Sequence, residues 1–220
     1  MQKYMKTVIT IVLAFVTLQT FATAQYPDKI IYKGKKYDLH TNPLETYFEK
    51  FPDKRLKGGA FSTALWRGYV ATFEVIGNQL FLNKIEVRVL QPTTGKASET
   101  VIKNVISEVF PNQDMVKVDW LTGLLVLPYG RLINYVHMGY GSTYKKYVLL
   151  EFNDGNLTNE KRFNYKLYED FKERQFQAFK QTDEYHKIKE RLRMEGNTDD
   201  FIDSFLRSFV TSYTTKLLTE

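Results

Sequence analysis

The chain has 220 residues, with 31 basic against 25 acidic side chains and a net charge of +6. The charges are mixed along its length, with no basic tail or stripe of the kind a nucleic-acid binder presents, so nucleic acid is excluded as the expected partner. It contains no cysteine, which removes disulfides, thiol nucleophiles and Cys-based zinc sites and leaves packing alone to stabilise the fold.

Residues 1–24 read as a secretory signal peptide. Lys3 and Lys6 form a positive start, Val8 to Val16 an apolar core, and Ala22-Thr23-Ala24 an A-x-A cleavage pattern before Gln25. The core is shorter than the roughly 20 residues needed to cross a bilayer. The expected product is exported, periplasmic or extracellular, with no membrane span after cleavage.

Residues 25–163 are expected to form a β-rich body. Ile30 to Leu39 reads as a hairpin around Gly34, and Leu44 to Phe51 as a short helix opened by Pro43 and closed by Pro52. Gly58-Gly59 marks a loop. Leu65, Tyr69, Ala71, Phe73 and Val75 alternate along a strand in which Arg67 intrudes. Gly77-Asn78 turns into a second strand, with a parity break near Asn83-Lys84 that suggests a bulge. Gln91 to Ser98 reads as a polar loop. The spacing of Val101, Ile102, Val105, Ile106 and Val109 predicts a helix over 98–110, with Ser98 as a candidate cap. Beyond it, Leu124 to Leu127 is a strand, Pro128-Tyr129-Gly130 a turn and Leu132 to Val136 a return strand. Tyr144 to Asn153 and Leu157 to Phe163 form a hairpin around Asp154-Gly155-Asn156.

Residues 164–220 change to helical periodicity. Tyr165, Tyr168, Phe171, Phe176 and Phe179 form one stripe, and Tyr185, Ile188 and Leu192 another. Gly196-Asn197 is a break, and Phe201 to Leu217 is one amphipathic helix capped by Asn197 or Thr198. The expected fold is α+β: a bent antiparallel sheet, a partial barrel or half-sandwich, with C-terminal helices packed on it.

Few residue patterns carry chemistry. The three histidines are far apart in sequence, so neither a metal nor a cofactor is expected. Asp199, Asp200 and Asp203 suit the first turn of a helix, where carboxylates favour the dipole. One segment, Tyr135 to Tyr144, packs tyrosines, a histidine, hydroxyls and two glycines into a loop. It reads either as a ligand site or as a tight structural connection. Trp66, Arg67 and Tyr69 form a second cluster, in which Arg67 either pairs with a buried carboxylate or grips a ligand. The candidate binding residues are therefore Trp66, Arg67, Tyr69, His137, Tyr140, Ser142 and Tyr144.

The runs W-R-G-Y-V-A-T-F-E-V, D-W-L-T-G-L-L-V-L-P-Y-G and Y-V-H-M-G-Y-G-S-T-Y resemble a family of uncharacterised exported bacterial proteins over residues 64–157. The resemblance brings no activity or site residues, and implies that the two aromatic-glycine runs belong to one β module. Three functions are compatible with these observations. The first is a non-catalytic envelope protein binding a glycan or peptide. The second is a protein–protein module, of inhibitor or immunity type, using the helical tail on an envelope protein. The third is a hydrolase centred on His137, with Asp119, Glu151 or Glu74 as orienting carboxylate and Ser142 or Thr143 as nucleophile.

Overall fold

A computed structural model describes residues 24–57, 62–93 and 96–218. The expected signal peptide, apart from Ala24, and the Gly58-Gly59 loop lie outside them. β1 (Asp28–Tyr32) and β2 (Lys35–Leu39) pair antiparallel around Lys33 and Gly34. Both turn residues have positive φ, 49° and 72°, as the tight hairpin turn requires. α1 (Pro43–Lys50) begins on its proline and buries Leu44 and Phe48. β3 (Tyr69–Ile76) and β4 (Gln79–Thr93) form the next hairpin. Thr72 faces Lys84 while Phe73 faces Leu82, so Asn83 is the extra residue of the expected bulge. β1 runs parallel to β3, which makes the sheet mixed rather than wholly antiparallel.

The helix expected over 98–110 is a strand for most of its length. β5 (Lys96–Asn104) pairs antiparallel with the far half of β4, so 91–98 is largely hairpin rather than loop. Thr100, Val101 and Ile102 are three β-branched residues in succession, which favour a pleated strand once a partner is available. Ile102, counted in the helical stripe, is 68 % exposed. Helix survives only as α2 (Ile106–Val109), which buries both its end residues.

β6 (Val116–Lys117) adds briefly to β4. β7 (Gly123–Asn134) is continuous through Pro128-Tyr129-Gly130, where a turn was expected. It lies at one end of the strand order, a place where a missing proline N–H is tolerated. Gly130, at φ 81°, sits in the register shift between Tyr129 and Leu132, so the glycine makes a bulge, not a reversal. β8 (Thr143–Asn153) and β9 (Asn156–Asn164) complete the sheet.

The strand order is β2-β1-β3-β4-β9-β8-β7, with β5 and β6 added on β4. The sheet curls until its two ends approach, and His40 N–H donates to the Val126 carbonyl at 2.9 Å. It does not close into a barrel. The main core fills the concave side with residues such as Ile30, Phe48, Tyr69, Phe73, Leu82, Leu125, Val148 and Phe152. Four helical segments follow: α3 (Tyr165–Phe179), α4 (Asp183–Met194), α5 (Asp199–Ser208) and α6 (Val210–Tyr213). The side chains of Asn164, Thr182 and Thr198 cap the first three by accepting from the Leu167, Tyr185 and Phe201 amides.

Tyr168 and Phe171 of α3 cover Leu124, Val126, Tyr147 and Leu149 on the outer face of β7 and β8. Leu125, Leu127, Val148 and Leu150 enter the main core from the other face. Burial on both faces explains why these strands read as unbroken apolar runs. Ile202, Leu206 and Val210 pack with Phe176, Phe179 and Tyr185 in a smaller cluster. The single helix expected over 201–217 is broken at Phe209, and the chain leaves helix after Tyr213. Gln175, fully buried, takes over there: its Nε2 donates to Thr214 Oγ1 and the Lys216 carbonyl, and its Oε1 accepts from Leu218 N–H.

Gly155 and Gly77 separate two costs of adding a methyl group. Both have positive φ, but only at Gly155 would a Cβ fall 2.1 Å from the Val118 carbonyl oxygen. Gly77→Ala should lose about 1–2 kcal/mol through backbone strain alone. Gly155→Ala should lose at least about 3 kcal/mol, because the backbone at Val118 must also move. Urea denaturation of the two variants measures the difference, and equal losses would refute the close approach.

Candidate functional site

The aromatic-glycine loop is held by a buried ion pair. Asp28 and Arg67 have fully buried side chains 3.3 Å apart. Asp28 Oδ1 also accepts from Ala71 N–H at 2.8 Å, and Arg67 donates to the Tyr26 carbonyl at 2.9 Å. Desolvation dominates here: burial pushes the Asp28 carboxyl up to about 6, although Arg67 and the Ala71 amide pull it down. The same guanidinium donates to Tyr140 Oη at 3.1 Å, and Tyr140 donates onward to Asn42 Oδ1 at 2.8 Å. Tyr140 therefore joins the loop after β7 to the residue that opens α1. Ser142 closes the loop on itself, accepting from Val136 N–H and donating to the Val136 carbonyl.

This arrangement leaves a groove between the sheet and the C-terminal segment. It has two adjoining lobes of about 350 and 340 Å³, and both are lined by His40, Tyr140, Thr211 and Ser212. Ser142, Thr143, Tyr168 and Phe209 wall the first lobe, with Glu169 and Lys172 also on its lining. Those two charges pair with each other at 2.9 Å. Asn42, Glu45, Glu49, Thr214 and Thr215 line the second lobe. At the waist His40 stacks on Tyr140, centroids 4.7 Å apart, and meets the Tyr144 ring edge-on at 5.5 Å. Burial pushes the His40 imidazole down to about 4, with Lys29 acting in the same direction and Asp38 opposing. The waist is therefore neutral at pH 7: a ring stack surrounded by hydroxyls.

The seven expected site residues separate in space. Tyr140 and Ser142 line the groove, and Tyr144 braces His40. Arg67 and Tyr69 are interior: Tyr69 lies beneath the guanidinium and donates to Glu45 Oε1 at 2.7 Å, while Glu45 is gripped by Arg55 through both oxygens. Trp66 is 55 % exposed, on the turn before β3, and is absent from the lining of both lobes. His137 is exposed, and its Nδ1 lies 2.9 Å from Tyr135 Oη. No carboxylate bonds to it among the described residues. Glu151 instead accepts from Leu217 N–H, and Glu74 accepts from Asn83, so a His137 triad is not assembled.

Sequence reasoning missed His40, Asn42, Thr211 and Ser212. The local signal is the hydroxyl-dense run Thr211-Ser212-Tyr213-Thr214-Thr215, which falls inside the single amphipathic helix expected over 201–217. The chain matches no protein-family model, no curated protein and no solved structure.

Two outcomes test this geometry. Arg67→Met should cost about 3–5 kcal/mol, because it leaves Asp28 buried without its partner. Asp28→Leu combined with Arg67→Met should cost less than Arg67→Met alone, and urea titration of both variants gives the comparison. For His40 the folded pKa lies below the ordinary value of 6.5, so the unfolded chain binds more protons between the two. Its contribution is complete above pH 6.5 and is lost as pH falls towards 4. The stability difference between wild type and His40→Gln should shrink by up to about 3 kcal/mol over that window. A pH-independent difference would show that His40 titrates normally.

Proposed function

We propose that this chain is an exported, non-catalytic binding protein of the cell envelope that takes a glycan or peptide in the two-lobed groove. The observation that carries the reading is the waist. A neutral, half-buried imidazole stacked on a tyrosine is flanked by hydroxyls from both the loop and the tail. Flat rings with polar edges contact apolar ligand faces, and side-chain hydroxyls both donate and accept, which suits sugars and peptide groups. The groove is concave and set on a rigid sheet, as small-ligand sites commonly are. Export is supported by the three-part pattern of residues 1–24. Kinship with the uncharacterised exported family belongs to the same proposal and adds no activity to it.

Ser212 is exposed and lines both lobes, so a bulky substitution there obstructs the groove without disturbing the core. The test is a thermal-shift screen of the purified protein against glycans, peptidoglycan fragments and peptides. A ligand at 100 times its dissociation constant stabilises the folded state by about 2.7 kcal/mol. The shift should vanish in Ser212→Trp and persist in Trp66→Ala and His137→Ala. A shift lost in Trp66→Ala but kept in Ser212→Trp would place binding at Trp66, outside the groove, and refute the reading.

A further inference from the structure

β5 has a long strand edge that no other strand of the described residues pairs. β2 and β7, the ends of the strand order, face each other across the His40–Val126 bond, whereas β5 pairs with β4 alone. Beyond Val87, β4 has no β3 partner, so the two strands continue as a two-stranded arm. The arm carries two of the most exposed apolar side chains in the molecule, Leu90 at 64 % and Ile102 at 68 %. A free, uncharged edge is ordinarily a hazard and is blunted by bulges, proline or unpaired charge. Here the charges of the edge form a pattern that is complementary to itself.

We propose that β5 is a dimerisation strand: two copies of this chain join edge to edge, antiparallel, about a two-fold axis through Val101. An axis normal to the sheet preserves its faces, so only residues of like parity can lie opposite each other. Centring on Val101 sets Glu99 opposite the second copy's Lys103, and Lys103 opposite its Glu99. Centring on Thr100 or Ile102 forms neither pair. Opposite charges directly across antiparallel strands are favourable, and like charges are unfavourable. On the other face Ile102 lies opposite Thr100 of the second copy and diagonal to its Ile102, within reach of long side chains. Glu99 and Lys103 are both exposed. Among the described residues Lys103 bonds within its own chain only to Glu108, at 3.2 Å and in solvent, an interaction weak enough to be exchanged. The pairing joins two sheets into one and removes the unpaired edge, by the same main-chain bonding through which strand addition gives affinity.

The absence of cysteine makes the register directly testable. Opposed Cα atoms in an antiparallel pair lie about 4.5–5.5 Å apart, within the span of a disulfide. Val101→Cys should therefore form a covalent dimer under mild oxidation. Wild type in sedimentation should show a mass rising with concentration towards twice that of one chain. Glu99→Lys and Lys103→Glu should each weaken self-association by about tenfold, since two favourable pairs become two repulsive ones. Mixing these two variants should restore association as a heterodimer, because every opposed pair is then of unlike sign. Circular dichroism of each single variant checks that the monomer is folded. A monomer at every concentration with no Val101→Cys cross-link overturns the proposal, as does a dimer indifferent to both charge reversals.

Discussion

Much of the architecture depends on one buried ion pair. Asp28 and Arg67 are each removed from water, a state expensive enough that replacing such a pair by apolar groups is often neutral or favourable. Its consequence here is geometric. Asp28 holds β1 to the start of β3 through Ala71 N–H, and Arg67 ties the turn before β3 to the Tyr26 carbonyl and to Tyr140. One guanidinium, with five donors in a rigid fork, thus connects the first strand, the third strand and the loop after β7. Through Tyr140 and Asn42 the connection continues to the start of α1. The parallel pairing of β1 with β3 and the position of the loop share this origin.

The second constraint is at the other end of the chain. β7 and β8 bury residues on both faces, so the sheet needs a cover on its outer side. Tyr168 and Phe171 supply it, with Tyr168 stacked on Tyr147 at 4.1 Å. The chain then returns past Phe209 and is clasped by Gln175, a buried amide whose groups bond to three positions of the returning segment. A buried amide is costly unless satisfied, so that clasp is specific about where the tail lies. Thr211 and Ser212 face His40 across the groove because of it. The groove is a seam between a loop fixed by Arg67 and a tail fixed by Gln175.

Local rules were sufficient where turn chemistry or periodicity met no competing partner. Gly34, Gly77 and Gly155 each mark a hairpin that is present, and the Asn83 bulge follows from a parity break in the sequence. The C-terminal helical segment is likewise legible, and of the two candidate caps, Asn197 and Thr198, the structure uses Thr198. Two misreadings share one cause. Thr100 to Ile102 are compatible with helix or strand, and Pro128-Tyr129-Gly130 with turn or bulge. In each case the neighbouring strand decides, β4 for the first and β8 for the second. Arg67 was recognised as an anomaly on an apolar strand, but the identity of its carboxylate required the parallel approach of β1. His40, at the waist of the groove, looked like an isolated histidine because its partners Tyr140 and Tyr144 are about a hundred positions away.

By itself, then, the amino-acid order determined the α+β class, the hairpin turns, the helical tail and the exclusion of cysteine chemistry. Each of these depends on periodicity, on positive-φ residues or on which side chains exist, and such information is local. Tertiary structure alone decided that β1 lies parallel to β3, that 98–104 is a strand and that β7 passes straight through its proline. It also decided which residues share the groove. Those outcomes rest on contacts between segments far apart in the chain, where desolvation of Asp28, Arg67, His40 and Gln175 must be offset by partners that no local pattern names.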